Sequence, residues 1–252
     1  MRSALHAEWT KLRTEVGFSW LLLAVVAVTV VLGVVVTGAV HCTAPAGCVP
    51  DLPKLSLSGV QVGQVVVAVL AVLVISGEYS SGMIRTTFTA MPRRLTVLAA
   101  KAVVLTLPVA VAGCLAVLIS LLASRFLLAR NGLSLPLGEG AVLRAAVGSV
   151  LYLVLIGLLS LGIATAVRDA AASIGVVLGL FFLFPIVIGM VSDPVLRRHL
   201  EQISPTAAGL AVQATTGLGS LPIGPWSGLA VLAGWAGGAL AVGLGLLWWR
   251  DA

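Results

Sequence analysis

Apolar residues in this chain gather into long runs separated by short polar segments, and those runs define the elements. They cover residues 18–40, 57–76, 102–123, 145–167, 170–191 and 226–249. Each is close to the roughly 20 residues a helix needs to cross about 30 Å of hydrocarbon. None alternates apolar and polar residues with the period of two that a membrane strand shows. Backbone exposed to lipid must bond within its own segment, so the runs are expected to be helices. The fold class is therefore all-α, a polytopic membrane protein with six transmembrane helices in one domain covering 1–252. The first run is too long for the apolar core of a signal peptide, and a charged amphipathic segment precedes it, so it is expected to stay uncleaved.

Composition strengthens this pattern. Of 252 residues, 60% are hydrophobic and 10% are charged, against about 25% charged in soluble domains. The mean hydropathy is +1.14, more apolar surface than one aqueous core would bury.

The net charge of +6 invites a nucleic-acid reading, but the basic residues stand at the ends of apolar runs, where lipid headgroups favour them. No basic stripe with interleaved aromatics occurs, so no nucleic-acid partner is expected. An even number of spans puts both termini on one side. That side would carry Arg2, Lys11, Arg13, Arg85, Arg93, Arg94, Lys101, Arg168 and Arg250. The other side would carry Lys54, Arg125, Arg130, Arg144, Arg197 and Arg198. The imbalance places both termini in the cytoplasm of a multi-pass cell-membrane protein. Trp20, Trp248 and Trp249 near one boundary and Trp226 near the other suit interfacial anchors.

The sequence has little chemistry of its own. No acid, lysine, arginine or histidine lies mid-span, where such residues mark proton or ion paths. No HExxH occurs, and His6, His41 and His199 are scattered. Lys11, Lys54 and Lys101 are the only lysines and none follows a glycine, which rules out a P-loop in this chain. No catalytic, metal or cofactor residue is expected, and the chain is not expected to be an enzyme. Any work against a gradient would draw on another chain.

Cys42 and Cys48 share the first loop, in HCTAPAGC. They either close a small disulfide or remain two thiols. Cys114, in the third run, is expected to be a small buried residue. Gln61 and Gln64 lie one helical turn apart. They either bond between helices or line a polar path. Small residues spaced by four recur at Gly59/Gly63, Gly175/Gly179 and Gly234/Gly238, a spacing that lets helix backbones approach closely.

Two segments on the side of the termini are more distinctive. In residues 2–16, Leu5, Trp9, Leu12 and Val16 fall on one helical stripe, with Glu8, Lys11, Arg13 and Glu15 on other faces. This predicts an amphipathic helix in the membrane interface. The loop 78–101 opens with Glu78, turns at Gly82, meets Pro92, and ends with Arg93, Arg94 and Lys101. It is expected to hold a short helix across the membrane surface, with Glu78 paired to a basic residue at the membrane edge.

The lead AEWTKLRTE, the six-helix layout and the loop EYSSGMIRTTFTAMPRR resemble the permease subunits of ABC-2 type ABC transporters. The likeness is to the small permeases of high-GC Gram-positive bacteria, which commonly have Thr where this chain has Met83. The resemblance implies a permease subunit of an exporter, in a homodimer or heterodimer with a second permease subunit. It implies two cytoplasmic ABC ATPase subunits, which would bind ATP and magnesium. Segment 2–16 would be the connecting helix, and the loop would hold the coupling helix seated in the ATPase. Glu78, Gly82, Arg85, Pro92, Arg93 and Arg94 would form that contact. The loop 192–225 resembles an outer re-entrant region. The rival reading is an anchoring or sensing subunit that transports nothing.

Overall fold

The computed structural model describes residues 2–39, 51–80, 82–83, 94–130 and 138–250. Among these the chain is all-helical. Helix α1 (Arg2–Thr14) leads into α2 (Val16–Gly38) through the extended residue Glu15. A short α3 (Leu52–Ser56) turns into α4 (Val60–Ser80), followed by α5 (Arg94–Arg130) and α6 (Gly140–Val167). The next span joins α7 (Ala170–Leu178), a π-helical turn (Gly179–Leu183) and α8 (Phe184–Gly189). Two shorter helices, α9 (Pro194–Ile203) and α10 (Pro205–Leu210), precede α11 (Pro225–Arg250).

Six of these units are long and apolar enough to cross a membrane: Val16–Gly38, Leu52–Tyr79, Arg94–Ala129, Gly140–Val167, Ala170–Gly189 and Pro225–Trp249. They fit a multi-pass transmembrane protein. The ends differ most in the third span. Its apolar run covers 102–123, whereas α5 has 37 residues and a length of about 55 Å at the usual rise. The helix continues through Lys101 because that charge is paired within the fold, as described below. Residues 94–101 are therefore helix, and the loop preceding the span is shorter than its polarity suggests.

Helix α6 occupies the centre of the bundle, packing on α4 and α5 on one flank and on α7 and α11 on the other. Helix α2 closes the first flank against α4 and α5. The α2–α4 crossing requires glycine. A Cβ at Gly59 would lie 1.9 Å from the Thr29 carbonyl oxygen, and one at Gly63 would lie 2.3 Å from the Thr29 hydroxyl. At Gly175, Gly179, Gly234 and Gly238 an added Cβ meets nothing within 4 Å. Only the first of the three spaced pairs is thus used for packing within the fold. Gly234→Ala should accordingly cost no stability, and denaturation in detergent should show a gain of up to about 1 kcal/mol, the preference of a helix interior for Ala over Gly.

Cys114 corrects an expectation. It is exposed, as are its neighbours Leu115 and Leu118 on α5, so it lies on the outer surface of the bundle. A span apolar on every face offers no periodicity from which to read its inward side. Trp20, Trp226, Trp248 and Trp249 are all exposed.

The turn between the fourth and fifth spans takes two residues. Arg168 adopts a left-handed conformation (φ 67°) and donates its N–H to Ala164. Asp169 caps α7 by accepting from the Ala172 N–H at 2.7 Å.

Candidate functional site

Four charged side chains meet at the end of the bundle that carries α1. Lys101 Nζ lies 2.7 Å from Glu8 Oε2 and 2.7 Å from Glu78 Oε1. Lys11 Nζ lies 2.8 Å from Glu78 Oε1 and 3.1 Å from Glu8 Oε1. The pairs close a ring: Glu8, Lys11, Glu78, Lys101 and back to Glu8. Within the ring two acids face two bases. Lys101 is 2% exposed, and Glu8 and Glu78 are each 6% exposed.

Three helices supply the ring. Glu8 and Lys11 sit one turn apart on α1 and so share a face. Glu78 stands in the last turn of α4, and Lys101 lies two turns into α5. A buried ammonium between apolar helices is tolerated only when opposite charges compensate it, and here two carboxylates do so. Burial alone would favour neutral Lys11, but hydrogen bonds and charge from Glu78, then from Glu8, outweigh it and raise its pKa above the ordinary lysine value. Lys11 therefore stays charged across the neutral range. Its stabilising contribution is complete below the ordinary value of 10.5 and fades only as pH rises through the raised one.

The ring also settles how α1 lies. Leu12 and Glu8 are its buried residues, whereas Trp9 is 42% exposed and Val16 is 70% exposed. The expected stripe of Leu5, Trp9, Leu12 and Val16 is therefore split, and Glu8 and Lys11, assigned to other faces, turn toward α4 and α5. The ion pairs decide the orientation that apolar spacing alone assigned otherwise.

Two arginines finish the same end. The guanidiniums of Arg94 and Arg168 donate to the carbonyls of Leu247 and Leu246 in the last turn of α11. Arg168 also lies over the Tyr79 ring, 5.5 Å from its centroid. Of the residues expected to meet an ATPase, Glu78 is thus buried in the ring and Arg94 reaches α11. Gly82 has a left-handed φ of 69° and donates its N–H to Tyr79 at 3.2 Å, turning the chain away from α4. Arg85, Pro92 and Arg93 lie outside the described residues, as do His41, Cys42 and Cys48.

The opposite, distal end is built around segment 192–225, and sequence reasoning missed its internal order. Rather than a loop, it is mostly helical. Helix α10 and the turn Ala211–Gln213 are buried against α6 and α11. Asp51, at the start of α3, holds the segment: its carboxylate accepts from the Thr215 N–H at 2.6 Å, the Thr215 hydroxyl at 2.6 Å and the Thr216 N–H at 3.1 Å. Arg144 donates to the Ala214 carbonyl at 2.7 Å, and Trp235 donates to the Ile203 carbonyl at 2.8 Å.

The two glutamines have different surroundings. Gln64 is buried and accepts a hydrogen bond from the Tyr152 hydroxyl of α6. Gln61 is exposed and lines a cavity at the distal end. Among the described residues no group of three or more His, Cys, Asp or Glu side chains is placed to hold a metal ion.

No protein-family profile matches the chain, and no curated protein matches it significantly.

Proposed function

We propose that this chain is the membrane-spanning permease subunit of an ATP-driven ABC-2 type exporter. Both termini would face the cytoplasm of the cell membrane. It would pair with a second permease subunit and couple to a separate ABC ATPase through loop 78–101. The observation that supports this reading best is the buried charge ring. Glu78 and Lys101 bracket the loop, and each is tied to α1, Glu78 by Lys11 and Lys101 by Glu8. A partner pressing on the loop would move α1, α4 and α5 as one body, because separating them strands a buried charge. A membrane anchor has no need of such a linkage. ATP and magnesium would be bound by the partner alone.

The reading is tested by co-expressing the chain with candidate ABC ATPases from the same genome, purifying in mild detergent, and measuring ATP hydrolysis. Arg85→Glu combined with Arg93→Glu is expected to weaken the complex while leaving membrane insertion intact. Glu8→Gln combined with Lys11→Gln frees α1 without touching the loop, so the complex should persist with altered hydrolysis. Failure to capture any ATPase would favour the anchoring or sensing subunit instead.

A further inference from the structure

The distal end holds a cavity that the coupling reading does not use. Its volume is about 340 Å³, at the small end of the range for ligand pockets, roughly 300–1,000 Å³. It lies where α3 and the start of α4 face the end of α8 and the segment α9–α10. Charged and aliphatic groups share its wall. Lys54, Arg197, Glu201 and Gln61 supply the polar part. Ile188, Leu210, Leu221 and Ile223 supply much of the rest. Gln213, 2% exposed, also lines it, held by a hydrogen bond to Ser149 at 3.0 Å.

The charges do not cancel. Glu201 is engaged by Arg197 Nε at 3.0 Å, which uses one of the five guanidinium donors. The Lys54 ammonium makes no ion pair or side-chain hydrogen bond among the described residues. Among the described residues of its wall, two cations therefore face one carboxylate, with donors to spare. The Gln61 amide is also without a hydrogen bond among the described residues.

We propose that this cavity binds a compact amphiphilic organic anion, with its head on Lys54 and Arg197 and its aliphatic body against Ile188 and Leu210. An inorganic anion would leave the aliphatic wall unfilled, and an amphiphilic cation would meet excess positive charge. The volume favours a short chain over a whole phospholipid. The head is a carboxylate or a phosphate monoester, both of which accept from ammonium and guanidinium donors.

The test uses the full chain in discs of neutral lipid, without any ATPase, and equilibrium dialysis corrected for empty discs. The probes are octanoate, octyl phosphate, octylammonium and inorganic phosphate. Saturable binding of octanoate or octyl phosphate is expected, and the tighter of the two identifies the head. Lys54→Gln and Arg197→Gln should each weaken it roughly tenfold, the scale of one lost charge-assisted hydrogen bond. Lys54→Arg should retain it and so controls for folding. Equal binding of octylammonium, equal binding of inorganic phosphate, absence of saturable binding, or indifference to both glutamine variants would overturn the proposal. Since no ATPase is present, failure here leaves the coupling reading standing, and loss of the ATPase complex leaves this site standing.

Discussion

Replacing Lys101 by methionine is expected to destabilise the bundle by about 3–5 kcal/mol, the cost of stranding one half of a buried ion pair. Methionine fills a similar volume, so the loss would come from charge and not from a cavity. Lys101 is the more deeply buried base of the ring, with 1% of its side chain exposed against 32% for Lys11. Among the described residues, its removal leaves Lys11 as the cation shared by Glu8 and Glu78. Adding Glu8→Gln removes the acid that Lys101 would have compensated, and Lys11 still pairs with Glu78 across 2.8 Å. The double variant should therefore be more stable than Lys101→Met by itself, a coupling larger than the 0.3–0.5 kcal/mol or so within which independent sites add. The check is a denaturation series in detergent on the parent, both single variants and the double. A loss under about 1 kcal/mol for Lys101→Met, or simple additivity, would mean that water or local rearrangement compensates the charges and that the ring does not bind the three helices together.

The six spans were legible because apolar runs of membrane length leave few alternatives to helix. The third span shows where that rule ends. A lysine ends an apolar run, but it does not end a helix when partners on other helices neutralise it, and those partners are 93 and 23 residues away in sequence. Glu78 was legible as one member of a membrane-edge pair, since an acid there needs a cation. Glu8 was assigned to the wrong face because apolar spacing was given more weight than the charge pair one turn apart on α1. The distal segment was hidden by its composition. Ala208, Gly209, Ala211 and Ala214 are too small to raise hydropathy strongly, yet small residues let a short helix approach α6 and α11 closely. Tyr152 carried a usable signal. It is one of only two tyrosines in the chain, and a phenol inside a span requires a polar partner, which Gln64 provides.

At the distal end, Asp51→Ala is expected to loosen segment 192–225 while leaving the spans folded. The carboxylate accepts the Thr215 hydroxyl and two successive backbone N–H groups, and it also caps α3 through the Lys54 N–H at 3.2 Å. Bonds to a charged acceptor contribute about 1.5–3 kcal/mol each in favourable cases, and the solvent exposure of Asp51 places the total toward the lower part of that range. The pH dependence follows from the same bonds. Partial burial alone would raise the Asp51 pKa, but hydrogen bonds from Thr215, Thr216 and Lys54 outweigh it and hold the value below the ordinary 3.8. A carboxylate with a lowered folded-state pKa stabilises fully above its unfolded value and loses that contribution as pH falls through the lowered one. The clasp should thus hold throughout the neutral and mildly acidic range and open only in stronger acid. Hydrogen exchange at the Thr215 and Thr216 amides, corrected for the intrinsic pH effect on exchange, measures this directly. Protection in the parent should be constant from about pH 5 to 8, the range above the unfolded carboxylate value, and Asp51→Ala should lose it at every pH. Protection that survives in Asp51→Ala would show that Arg144 and the buried α10 hold the segment without the carboxylate, because Arg144 grips the adjacent Ala214 carbonyl independently.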